Sequence, residues 1–326
     1  MCFTRVFNRP FSLFIKLIYV VLFMYILVNS FYYNTNSVNC AVGLCYGRNA
    51  NNTVVDFLVS LSPAKSKSTK PTRSSVAALL QYFNPKLQEL TDSAKAGDWV
   101  QQNVLAYSAD VKFRYIAVGN EIHPADAEAK SVLPAMQNVS TSIDTTLVVN
   151  PSPPSAGTFS PEASSYITPI IQFLAQNGAP LLVNVYPYFA YIDPTAQITL
   201  PYALFTAPEV VVTDNQYQYK NLFDAITDAQ YAALEKAGAP NLEIVISESG
   251  WPSEGNPAAT VENAGTYYRN LIGHVNGNTG TPRKPGKAIE TYLFAMFDEN
   301  LKPAGTEQHF GVFSPSKEQK YQLTFA

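Results

Sequence analysis

From about residue 110 onward the chain repeats one hydropathy pattern. A short apolar run meets a polar or glycine-containing break, and a longer stretch with apolar residues at helical spacing follows. Phe113–Val118 (FRYIAV) is rich in β-formers and stops at Gly119. Ser140–Val149 (STSIDTTLVV) stops at the proline-rich NPSPPSAG. Leu181–Tyr186 (LLVNVY), Leu242–Ser247 (LEIVIS) and Ile289–Phe297 (IETYLFAMF) read as further strands. Between them lie helices. Ser160, Pro161 and Glu162 read as an N-cap, a proline at the first helical position and an acid in the first turn. Ile167, Ile170, Ile171 and Leu174 form the apolar stripe behind them, Pro169 is expected to kink it, and Gly178 ends it. Asn221–Ala237 and Val261–Val275 are two more helices, the first with Phe223, Ile226, Ala233 and Leu234 on one side. Strands that alternate with helices make parallel βαβ units. The strands carry few charges, as strands covered on both faces do.

The first 40 residues have a different pattern. Arg5, Arg9 and Lys16 precede Leu17–Val28, an uninterrupted apolar run of twelve, and polar, turn-like residues follow. This is the build of a secretory signal, with cleavage expected near Cys40–Val42. The alternative is an uncleaved signal-anchor, with the apolar stretch taken from Phe11 through Tyr33. Residues 1–41 are therefore assigned to the signal and 42–326 to a single domain in the secretory lumen or outside the cell. Cleavage there leaves Cys45 as the last of three cysteines, after Cys2 and Cys40, so a packed core and not disulfides must hold the fold. His123, His274 and His309 are scattered, and no Cys or His cluster has metal-ligand spacing, so neither metal nor cofactor is expected. A formal net charge of -3 gives no basic excess to attract nucleic acid. Asn51 and Asn138 begin sequons compatible with secretion, and the C-terminus lacks the hydrophobic tail of a lipid-anchor signal. Aromatic residues are 13% of the chain, which suits a sugar-binding surface, although core packing accounts for them as readily.

Chemistry collects at one place in each unit. Asn120 and Glu121 follow Val118, Tyr186 ends its strand, Glu248 and Trp251 follow Ser247, and Glu299 and Asn300 follow Phe297. All lie at the C-terminal ends of expected parallel strands, the rim on which (β/α)8 barrels carry their active sites. Glu121 and Glu248 on one rim can face each other across its mouth. Two carboxylates flanking a cleft are what glycosidic bond hydrolysis needs, one to protonate the leaving oxygen and one to attack the anomeric carbon or activate water.

The segments RYIAVGNEI, LLVNVYPYF, SESGWPS and FDENLKPAGTEQHFGVF closely resemble the plant β-1,3-glucanases of glycoside hydrolase family 17, and VGLCYGRNANN at Val42 resembles their mature N-terminus. The resemblance covers Val42–Asn52 and about Leu87 to Ala326. It implies an α/β fold, the (β/α)8 TIM barrel, with no cofactor and a retaining double displacement on a β-glucan polysaccharide. By the matched motifs Glu121 is the general acid/base and Glu248 the nucleophile. Asn120 is expected to bond the sugar 2-OH, and Tyr186 to steady the nucleophile. Phe189 and Trp251 are expected to wall the glucan groove, with Glu299, Lys302 and Glu307 as a polar cluster beside it. Trp99 is assigned to helix packing. The implied setting is extracellular, at the cell wall, in plant defence or wall metabolism. The protein is expected to be a monomer, with no membrane contact after signal cleavage.

Two regions depart from that pattern. Between Val55 and about Pro85 the family carries a strand ending in an Arg-x-Tyr-acid-Pro motif, which supplies a cleft tyrosine. Here Lys65, Lys67, Lys70 and Arg73 stand among Ser, Thr and Pro, and the stretch is too short for the missing elements. Val76–Phe83 reads as a helical turn or two, or as a strand. The second departure is the connection Leu133–Asn138, short for a crossover that needs a dozen residues or more. The barrel is therefore expected to be incomplete around strands 2–3, with unpaired backbone exposed at the gap. Wrong exon boundaries, a degenerate copy or a tolerated loss would each explain this. The competing functions are a catalytically impaired carbohydrate-binding relative, a 1,3;1,4-β-glucan hydrolase and a membrane-tethered wall protein.

Overall fold

The computed structural model describes residues 42–45, 77–82, 84–107, 112–137 and 142–324. The signal segment, the lysine-rich stretch after Val55 and both sequons lie outside the described residues. No helix among the described residues is long and apolar enough to cross a membrane.

Seven strands form one sheet: β1 (Val42–Cys45), β2 (Ala77–Tyr82), β3 (Lys112–Val118), β4 (Ser142–Asp144), β7 (Leu181–Asn184), β10 (Ile244–Ser249) and β11 (Thr291–Leu293). The order is β3-β2-β1-β11-β10-β7-β4, and every ladder in it is parallel. Two short antiparallel pairs stand apart, β5 (Val148–Val149) with β6 (Thr158–Phe159) and β8 (Val212–Asp214) with β9 (Tyr217–Tyr219). The helices are α1 (Ser93–Asn103), α2 (Ala129–Met136), α3 (Pro161–Asn177), α4 (Pro187–Ile192), α5 (Leu200–Ala203), α6 (Leu222–Lys236) and α7 (Val261–Asn276).

The sheet is curled. β3 and β7 are five steps apart in the strand order, about 24 Å on a flat sheet at roughly 4.8 Å per strand. Yet the Asn184 Nδ2 atom at the end of β7 lies 3.0 Å from Asn120 Oδ1 and 3.0 Å from Glu121 Oε1, just past β3. Only a sheet rolled toward closure brings those side chains together.

The expected gap near strands 2–3 is not an open one. Ala77–Tyr82 is a strand, and it pairs directly with β1 at Leu44↔Ala78 and Cys45↔Leu79. β2 thus occupies the position beside β1, and the described sheet has seven strands in place of the expected eight. The ladder is short, two residue pairs, and at the ends of the strand order β3 and β4 are not paired with each other among the described residues.

Local signals account for most boundaries. Ser160 caps α3 by accepting from the Ala163 N–H at 3.0 Å. Ile167, Ile170, Ile171 and Leu174 are buried against the sheet, each contributing about 1.5–3 kcal/mol. The helix runs through Pro169 to Asn177. Asn221 caps α6 through the Asp224 N–H, and Thr260 caps α7 through the Asn263 N–H. Three strands differ from expectation. The run Ser140–Val149 divides, with Ser142–Asp144 paired to β7, a 3-10 turn at Thr145–Leu147, and Val148–Val149 paired to β6. β10 continues to Ser249, so Glu248 lies within the strand. β11 stops at Leu293, before a cis peptide between Phe294 and Ala295.

Candidate active site

The site residues sit where the parallel strands end. β3 delivers Asn120 and Glu121 through a tight turn. Gly119 has φ +77°, a backbone conformation that favours glycine. Glu121 itself has φ +53°, the left-handed region, which costs a non-glycine residue about 1–2 kcal/mol. Its side chain is exposed at the rim. Backbone strain held at an exposed acid is an observation that points toward function.

β10 delivers Glu248, which is 4% exposed. A carboxylate buried this deeply needs donors. The Tyr186 hydroxyl, just beyond β7, donates to Glu248 Oε2 at 2.7 Å. Tyr186 is held by ring contacts with Phe189 (5.3 Å between centroids), Phe310 (5.8 Å) and Phe294 (6.1 Å). Phe189 is 41% exposed, so its ring is available at the surface beside Tyr186.

Glu121 and Glu248 are linked through two buried polar residues. Ser247 donates its hydroxyl to Asn184 Oδ1 at 2.7 Å, and Asn184 Nδ2 donates onward to Asn120 Oδ1 and Glu121 Oε1. Ser247 immediately precedes Glu248. Sequence reasoning passed over both residues. The available signal was one amide and one hydroxyl inside strands whose every residue is buried.

After β11 comes the third group. Lys302 Nζ is 2.6 Å from Glu299 Oε2 and 3.2 Å from Glu307 Oε2, and lies 5.0 Å from the centre of the Phe294 ring. Burial works against the Lys302 ammonium, but the hydrogen bond and charge of Glu299, with those of Glu307, outweigh it and hold its pKa above the ordinary lysine value. Glu299 is 3% exposed, so this is a desolvated ion pair that would be costly to break from one side. Through Phe294, which touches both Tyr186 and Lys302, the group borders the Glu248 site.

Trp251 is the site residue the structure corrects. It is not a groove wall. Its side chain is fully buried, with Tyr188, Tyr267 and Tyr191 around it at 5.1, 5.6 and 5.9 Å, and its indole N–H donates to the Ala258 carbonyl at 2.9 Å. A ring with every face covered has none left for a sugar. Gly250 stands directly before it. It provides close approach, since a Cβ would collide with the Phe294 carbonyl oxygen and meet the Tyr268 hydroxyl at 2.9 Å. Trp99 lies on α1, partly buried against the core, as assigned. Among the described residues no group of His, Cys, Asp and Glu could hold a metal ion.

This arrangement can do acid/base and nucleophilic chemistry with carboxylates. It has an exposed acid, a buried carboxylate supplied with a donor, and a cationic group nearby.

The family profile described as Glycosyl hydrolases family 17 matches residues 42–325. A glucan endo-1,3-beta-glucosidase of Vitis vinifera is 49% identical over the whole of both chains. That match spans 359 positions against the 326 residues here, so the relative carries at least 33 positions that this chain lacks. The acidic isoform GI9 of the same enzyme from Nicotiana tabacum is 48% identical, with 87% of this chain and 91% of the relative covered. Among solved structures, plant beta-glucan endohydrolases with distinct substrate specificities align with a TM-score of 0.75 at 40% identity, covering 86% of this chain and 99% of theirs. A beta-1,3-glucanase and pollen allergen of Cryptomeria japonica aligns with a TM-score of 0.77 at 36% identity, covering 87% and 99%.

Proposed function

The chain belongs to glycosyl hydrolase family 17, and from that premise we propose that it is an endo-acting hydrolase of β-1,3-glucans with a retaining mechanism. One observation carries the reading. Two rim glutamates, one exposed and one buried with a hydroxyl donor, are tied to each other through Asn184 and Ser247. In the first step Glu121 gives its carboxyl proton to the glycosidic oxygen as the bond to the anomeric carbon breaks, and a Glu248 oxygen bonds to that carbon. In the second, Glu121, now ionised, takes a proton from water. The water oxygen bonds to the anomeric carbon as the glycosyl ester breaks, and Glu248 leaves as a carboxylate. Tyr186 holds the nucleophile in place, and Asn120 takes the sugar 2-OH. Phe189 forms an aromatic edge of the groove, and the Glu299–Lys302–Glu307 group borders it. The two carboxyl groups of such an enzyme stand about 5–5.5 Å apart.

The architecture we infer is the family's barrel with one strand fewer, the β1–β2 ladder replacing the segment that supplies the second-strand tyrosine. A signal in residues 1–41, secretion to the wall, a role in defence and a monomeric state complete the proposal. The leader pattern supports the signal and secretion, and the family resemblance supports the rest. A second reading, a glucan-binding relative with impaired catalysis, is favoured by the shortened Val55–Pro85 region.

The test is reducing-sugar release from a linear β-1,3-glucan by the secreted protein, with Glu121→Gln and Glu248→Gln alongside. Activity lost in both variants supports the hydrolase. Folded wild-type protein that binds the glucan without cutting it supports the second reading. Parallel assays on a 1,3;1,4-β-glucan report the linkage preference.

A further inference from the structure

We propose that Asn184, locked by Ser247, is a positioning residue for the acid/base Glu121 and for Asn120, an inference that rests on the catalytic reading above. The amide of Asn184 has two donors and one acceptor oxygen to place. Ser247 Oγ occupies the oxygen at 2.7 Å, and Nδ2 meets two acceptors, Asn120 Oδ1 and Glu121 Oε1, each at 3.0 Å. Turned over, the amide would set its oxygen against both acceptors and its N–H groups against the serine hydroxyl. The two acceptors therefore select the orientation in which Asn184 donates to Glu121, and the Ser247 hydroxyl, able to donate or accept, satisfies the buried amide oxygen in that orientation. Both residues are sealed from water, Asn184 at 2% and Ser247 at 0% exposure, so solvent does not compete for the bond between them.

Two consequences follow for the reaction. The Glu121 Oε1 atom is held by a donor, which orients the carboxyl group that delivers the proton. Asn120, its Oδ1 engaged, presents the donor Nδ2 to whatever else it meets, the polarity needed to bond a sugar hydroxyl oxygen. Glu121 sits in a strained, exposed turn, and a bond from the end of β7 fixes where its carboxyl group lies. Because Ser247 directly precedes Glu248, one strand sets the nucleophile and, through Asn184, the acid.

The test compares Ser247→Ala and Asn184→Asp with wild type and Glu121→Gln on two substrates. One is a linear β-1,3-glucan, whose leaving oxygen needs a proton. The other is a 2,4-dinitrophenyl β-oligoglucoside, whose phenolate leaves without one, read as the first-turnover burst. The relay predicts that kcat/KM on the glucan falls about 10–100-fold in both variants, the size of a lost hydrogen bond to a charged group. The dinitrophenol burst stays within about threefold, because acid catalysis is not called on in that step. The alkaline limb of the glucan pH profile moves to higher pH, since the ionised Glu121 has lost its donor. Equal losses on both substrates, or an unmoved alkaline limb, would overturn the relay and leave Asn184 and Ser247 as packing. If Glu121→Gln keeps full glucan activity, the catalytic reading itself fails. If Asn184→Asp does not fold, Ser247→Ala, which removes one oxygen, decides the question alone.

Discussion

Truncating Trp251 separates a packing role from a substrate role. The side chain is fully buried among Tyr188, Tyr191 and Tyr267, so Trp251→Ala removes a large ring from a closed aromatic cluster. Truncations of this kind cost about 3–5 kcal/mol, transfer and cavity together. The lost indole N–H adds little. Ala258 O, which accepts it, also accepts from Asn263 Nδ2 at 3.0 Å and is not left unsatisfied. At about 2–4 °C per kcal/mol for a domain of this size, Tm should fall by roughly 6–20 °C. Trp251→Phe refills part of the space and should cost about half as much. Thermal or urea unfolding, together with KM on a soluble β-1,3-glucan below the new Tm, makes the measurement. The expected outcome is a large loss of stability with KM within about twofold of wild type. A KM raised about tenfold, equivalent to 1.4 kcal/mol of binding, with Tm unchanged would refute the packing argument and restore the ring to the groove.

Three other outcomes follow from the geometry. Tyr186→Phe removes the donor to Glu248 Oε2 but keeps the ring contacts, so kcat/KM should fall about 10–100-fold with little change in Tm, and the acid limb of the pH profile should move up. An unmoved limb would deny Tyr186 that bond. Burial raises the Asp228 pKa to about 6 from 3.8, against hydrogen bonds from Thr281, Arg283 and Tyr219. The folded state then binds more protons than the unfolded one across that window, so stability falls as pH rises from about 4 to 6, by about 3 kcal/mol. Asp228→Asn should flatten this slope in urea melts at pH 4 and pH 7, and equal slopes in the two proteins would contradict the raised pKa. Gly250→Ala drives a methyl into the Phe294 carbonyl and should abolish activity or folding through a shift of about 1 Å or more at the end of β10, whereas normal kinetics and Tm would show that the approach is not tight.

The sequence alone determined the elements whose physics is local. Ser160, Asn221 and Thr260 announce helix starts because a short polar side chain can cap only its own first turn. The buried parallel strands show as apolar runs because both faces are covered. The rim position of Glu121, Tyr186 and Glu248 follows from the alternation of strand and helix. Tertiary structure decided the rest. Whether Ala77–Tyr82 was a helix or a strand depended on a vacancy beside β1, a neighbour some thirty residues earlier. Ser140–Val149 read as one strand, but its ends pair with different partners, Ser142–Asp144 with β7 and Val148–Val149 with β6, and the chain turns between them. Trp251 read as a surface plate because its motif says nothing of the three tyrosines, from α4 and α7, that enclose it. Asn184 and Ser247 looked like incidental polar residues in apolar strands. Asn184 meets Ser247 on the adjacent strand β10, but Asn120 and Glu121, just past β3, come within 3.0 Å of it only when the sheet curls, and no pattern along one strand records which side chains closure brings together.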